Sequence, residues 1–163
     1  MGYYMRFIVI DAQAAADGLT LDAVEAALQA HDPAYALANR QTIPYTSADL
    51  FYRDEVYAEL ELNQPGDDLF DDEVAELVEE LESIIFDHPD DQATQQALAV
   101  QMRMAQTILV ARVVFGDNAL EDGIRHLEPL WAWLFSLEAG VLLVDYEGYY
   151  DGQGLLLGFN ASE

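Results

Sequence analysis

Thr107 to Phe115 reads TILVARVVF. Its residues are β-branched and nearly all apolar, with no alternation between apolar and polar positions. A strand that keeps one face in water would alternate, so this run predicts a central strand covered on both faces. The rest of the chain can be arranged around it.

Toward the C-terminus, Gly116-Asp117-Asn118 turns the chain. From Ala119 toward Ala139, Leu120, Ile124, Leu127, Trp131 and Leu134 recur at helical spacing. Pro129 inside that helix predicts a kink or a division, and Gly140 suits the position just past its end. Then comes VDYEGYYDGQGLLLGF, Val144 to Phe159. Asp151-Gly152 between apolar runs signals a two-residue type I′ hairpin. That turn sets Gly148 opposite Leu155, Tyr146 opposite Leu157 and Val144 opposite Phe159. Leu142, Val144, Tyr146, Leu155, Leu157 and Phe159 then share one face, and Leu143, Asp145, Glu147, Tyr149 and Leu156 share the other. Gly148 marks a bulge or a close contact.

Toward the N-terminus, a helix spans about Gln92 to Met104, and a longer one carries Phe70, Val74, Leu77, Val78, Leu81, Ile84 and Ile85 on its apolar side. Asp67, Asp68, Asp71 and Asp72 crowd the start of that longer helix, where the macrodipole favours acids. In VYAELEL, Val56, Ala58, Leu60 and Leu62 alternate with polar partners, as in a half-solvated strand. Tyr35 to Ile43 reads as another strand. Leu21, Val24 and Leu28 define a helix capped by Thr20 and ended by Asp32-Pro33. Tyr4 to Ile10, YMRFIVI, reads as a buried first strand rather than a leader peptide.

This order predicts one α+β domain over residues 1–163: a largely antiparallel sheet with helices mainly on one face. The first two thirds follow the ferredoxin-like split βαβ order, and a C-terminal helix and β-hairpin follow. Topology of this kind carries no function by itself.

Charge is the strongest global signal. The chain holds 31 acidic and six basic residues, for a net charge of -25, and every base is Arg. Such a surface repels nucleic-acid phosphates and anionic membranes, so neither is an expected partner. A cationic protein or self-association is. No Cys is present, which excludes disulfides and thiolate chemistry. No run is apolar enough for a membrane span, and a cytoplasmic location is the default expectation.

Motifs for phosphate cradling, dinucleotide binding and a nucleophile elbow are absent. The acid runs do not meet the spacing of a calcium loop. Asp67, Asp68, Asp71 and Asp72 are the one loose divalent-cation candidate, with helix-start acids as the plainer reading. No cofactor is expected.

The leading expectation is therefore a soluble, non-catalytic protein-interaction or binding module. A small-molecule-binding domain or small enzyme, with its pocket between sheet and helices, is the alternative. A DNA mimic that inhibits a nucleic-acid-binding protein is a third reading. The candidate binding residues are Asp145, Glu147, Tyr149 and Tyr150 on the hairpin, with Trp131 and His126 on the last helix.

Overall fold

A computed structural model describes residues 3–10, 19–42, 46–65, 69–114, 119–137 and 140–159. In chain order they form β1 (Tyr3–Val9), α1 (Leu21–His31), β2 (Tyr35–Gln41), β3 (Thr46–Tyr52), β4 (Glu55–Asn63), α2 (Phe70–Ser83), α3 (Pro89–Arg103), β5 (Thr107–Val113), α4 (Leu120–Ser136), β6 (Gly140–Val144), β7 (Gly148–Asp151) and β8 (Gly154–Gly158). The eight strands make one open sheet in the order β2-β3-β4-β5-β1-β6-β7-β8, and every described pairing is antiparallel.

The α+β class and the antiparallel sheet agree with the sequence. The ferredoxin-like order does not appear. That order would set β1 between β5 and β4, whereas β1 lies between β5 and β6, and β5 pairs directly with β4. Two helices separate β4 from β5. An even number of helices returns the chain to the end of the sheet where β4 finished, so β5 runs back alongside it.

Helix placement also differs from the expectation of one covered face. One apolar cluster gathers Phe7, Leu60 and Leu109 beneath Val24 and Leu28 of α1 and Leu127, Leu130 and Leu134 of α4. The other gathers Ile8, Ile108, Val110 and Leu143 beneath Leu77, Val78 and Leu81 of α2 and Leu98 and Met102 of α3. Both layers follow from β5, whose residues Thr107 to Ala111 are all buried. A strand apolar on both sides stabilises two helix layers, each fully buried large side chain contributing roughly 1.5–3 kcal/mol.

Strand β3, TSADLFY, carries no strong sequence signal because Ser47 and Asp49 interrupt it. Its hairpin to β4 turns at Arg53 and Asp54, both at positive φ (50° and 66°). This is type I′ geometry without the glycine that announces it. At α1, Thr20 Oγ1 accepts from the Ala23 amide at 3.1 Å, the cap that the sequence anticipates. Pro129 lies inside a continuous α4 and does not divide it. His88, which suits a helix C-terminus by its sequence context, is the N-cap of α3, its ring accepting from the Asp90 amide.

The terminal hairpin is a three-stranded meander. Asp145, Tyr146 and Glu147 make a turn with Tyr146 at φ 67°, and Val144 pairs with Gly148. The second turn is centred on Gly152-Gln153, so Asp151 pairs with Gly154 and Tyr149 with Leu157. Asp151 Oδ1 accepts from the amides of Gln153 (2.8 Å) and Gly154 (3.1 Å), which moves the turn one residue past Asp151-Gly152. Gly148 is the close contact anticipated: its φ is +142°, and a Cβ there would overlap the Leu157 carbonyl oxygen. The shifted register puts Leu157 and Phe159 beside Tyr149 and Leu143 on the α2–α3 face.

Candidate functional site

The structure divides the six candidate binding residues among three places. Trp131 is buried in the α1–α4 layer, stacked on Phe7 with ring centroids 6.4 Å apart. His126 also lies on α4. Its ring stacks on Tyr57 (4.0 Å) and meets Tyr52 (4.8 Å), and its Nδ1 donates to the Asp122 carbonyl at 2.6 Å. Tyr35 donates to the His126 carbonyl at 2.8 Å. A shallow cavity of about 460 Å³ adjoins this cluster, but the polar contacts just named are internal to the protein.

Glu147 and Tyr150 form a second group. The Tyr3 and Tyr150 hydroxyls each donate to Glu147, both at 2.8 Å. This pairing clamps the end of β1 to the β6–β7 turn. Burial first and the Glu147 hydrogen bond second raise the proton affinity of the Tyr3 phenol, and the Glu147 hydrogen bond first raises that of Tyr150.

Asp145 and Tyr149 meet in the third place, a cleft of about 350 Å³ between the sheet and α2. Arg6 enters it from β1, on the same side of the sheet as Ile8. Asp145 Oδ1 lies 3.4 Å from Arg6 Nη1, with both side chains about a quarter exposed. Its other oxygen accepts from the Tyr4 amide at 2.9 Å. The Arg6 guanidinium also sits over the Tyr4 ring, 5.0 Å from its centroid. Leu81, Ile84, Leu143 and Phe159 supply apolar walls, and Glu80 adds a carboxylate.

Two donors in this cleft are unused. Arg6 Nε is buried with no hydrogen-bond partner among the described residues. Tyr149 is 2% exposed, and its hydroxyl makes no hydrogen bond among the described residues. Burial first, and then the charge of Glu80, push the Tyr149 phenol well above its ordinary value, against the opposing effect of Arg6. It therefore stays protonated at neutral pH and acts as a donor, not a base. Glu73, on the same helix as Glu80, has its carboxyl raised by burial, with the Asn63 hydrogen bond at 3.0 Å and the Arg6 charge opposing. Buried polar groups are satisfied in most folded proteins, and an unsatisfied donor costs about 1–3 kcal/mol.

Sequence reasoning named Asp145 and Tyr149 but missed Arg6 and Glu80. The signal for Arg6 was present: a charge within YMRFIVI, a strand read as buried. Among the described residues, no group of three or more His, Asp or Glu is placed to hold a metal. Asp71 and Asp72 are exposed in the first turn of α2, and Asp67 and Asp68 lie outside the described residues. No helix among the described residues is long and apolar enough to cross a membrane. No protein-family model, curated protein or solved structure matches the chain.

Proposed function

We propose that the protein is a non-catalytic binding module whose ligand occupies the cleft between β1, β6, β7 and α2. One observation carries this reading: Arg6 Nε is buried at the cleft without an acceptor, and the Tyr149 hydroxyl beside it makes no hydrogen bond among the described residues. A fold that leaves such a donor unpaired gives up stability there, and a bound acceptor restores it. The volume lies at the lower end of the range for small-ligand sites, about 300–1,000 Å³. The test is ligand-observed NMR with a fragment mixture on wild type and on Ile84→Trp, which fills the cleft from its rim. Wild type is expected to give binding signals that the variant loses. Signals that persist unchanged in Ile84→Trp would overturn the assignment of the cleft.

A second reading rests on α2. That helix carries Asp71, Asp72, Glu73, Glu76, Glu79, Glu80 and Glu82 and no basic residue. Val74, Ala75 and Val78 line a groove beside Asp71, Glu79 and Glu82, the last of these paired with Arg103 at 2.8 Å. An acidic rim around an apolar floor suits a basic amphipathic segment of a partner protein. Capture of such a partner from native lysate at low salt, lost at high salt, supports it. Capture that ignores salt counts against it.

A further inference from the structure

Resting on the reading of the cleft as a ligand site, we infer that its ligand is an uncharged molecule with an apolar body and a carbonyl-type acceptor oxygen. Three features of the cleft lead there. The first is the donor set. Arg6 Nε is buried without an acceptor and Tyr149 Oη makes no hydrogen bond among the described residues, so a ligand that supplies lone pairs suits both. A carbonyl oxygen has two, enough for both donors.

The second is the sign of the local charge. The single cation among the described residues lining the cleft, Arg6, already faces Asp145 at 3.4 Å, and Glu80 lines the same cavity. An anion entering the cleft meets two carboxylates against one guanidinium, within a chain of net charge -25. A cation satisfies the carboxylates but has no lone pair for the two waiting donors, and it meets the charge of Arg6. A neutral acceptor avoids both conflicts. The third feature is the wall. Leu81, Ile84, Leu143 and Phe159 offer apolar contact, and a volume of about 350 Å³ suits a body of one or two rings.

Three probes with the same ring separate the possibilities: benzamide, benzoate and benzylammonium. Each is titrated into ¹⁵N-labelled protein at low salt while amide shifts are followed. Benzamide is expected to move the amides of Leu143, Tyr149 and Phe159 and to bind more tightly than the two ions. Tyr149→Phe removes one donor and no hydrogen bond internal to the fold, so the chain remains folded. Its benzamide affinity is expected to fall about three- to tenfold, the loss of one neutral hydrogen bond. Benzoate or benzylammonium binding at the cleft as tightly as benzamide would overturn the ligand class and leave the site standing. An unchanged benzamide affinity in Tyr149→Phe would overturn the donor role. If no probe moved cleft amides even at millimolar concentration, both the class and the binding reading would fall.

Discussion

Asp145 holds two residues of β1 at once: its Oδ2 accepts from the Tyr4 amide at 2.9 Å and its Oδ1 lies 3.4 Å from Arg6 Nη1. The Asp145 amide also donates to the Tyr4 carbonyl at 3.1 Å. The β6–β7 turn is thereby pinned to the central strand, and the guanidinium is kept beside the cleft. Asp145→Asn keeps an acceptor for Tyr4 but removes the charge facing a mostly buried Arg6. A loss of about 1–2 kcal/mol is expected, discounted for partial exposure. In a chain of this length that lowers Tm by roughly 2–8 °C. Glu147→Gln is the comparison, because Tyr3 and Tyr150 can still donate to the amide oxygen. Its cost should stay below about 0.5 kcal/mol. Equal denaturant midpoints for the two variants would remove the special role of Asp145.

Tyr149→Phe should stabilise the ligand-free protein. The substitution deletes a hydroxyl that makes no hydrogen bond among the described residues, on a side chain only 2% exposed, and leaves the ring's packing with Phe159, centroids 5.9 Å apart, in place. A gain of about 1 kcal/mol is expected, read as a Tm rise of roughly 2–4 °C. Together with weakened benzamide binding, it would mark a residue kept for binding at the cost of stability. A destabilised variant would mean that the hydroxyl already has a partner in solution.

Glu73 gives a pH dependence with a definite sign. Burial raises its carboxyl pKa in the folded chain. Between its ordinary value and the raised one, the folded state binds more protons than the unfolded state. Stability therefore falls as pH rises through that window and recovers as pH is lowered. Glu73→Gln removes this penalty while keeping an oxygen for Asn63, which donates at 3.0 Å. The variant should be more stable than wild type at pH 7, and the two should converge as pH falls toward the ordinary carboxylate range. Parallel curves from pH 7 down to the ordinary carboxylate range would sink the assignment.

Salt should stabilise the fold. A net charge of -25 opposes compaction, while the two apolar layers support it. Tm is expected to rise with NaCl toward the molar range, where the Debye length is about 3 Å. Comparing chloride with sulfate separates screening from the strengthening of apolar burial. Comparing CaCl₂ with NaCl at matched ionic strength tests the acids at Asp67, Asp68, Asp71 and Asp72. Equal responses leave them as helix-start acids, and a flat response to NaCl would mean that the charges are balanced by their arrangement.

The elements that announced themselves were those whose own residues carry a periodic pattern. β5, α2 and α4 are legible because their apolar positions recur at the spacing of the element. β3 is not, since Arg53 and Asp54 adopt positive φ without a glycine to flag it. The C-terminal register was misread by one residue, because Asp151 bonds forward to Gln153 and Gly154 and moves the turn. Half of the cleft was visible, in Asp145 and Tyr149. Arg6 stood in plain sight as a charge within a buried strand, and its partner lies 139 residues away.

By itself, then, the sequence determined which segments are helices, which are most of the strands, that the class is α+β, and that the surface is strongly acidic. These are local or additive properties, set by side-chain periodicity and by charge count. Only the tertiary structure decided the strand order, the division of the helices between two faces, and the meeting of Arg6, Asp145 and Tyr149. Those depend on which distant segments share a sheet edge or a helix face. A one-residue shift in a turn changes that choice with hardly any change in local pattern.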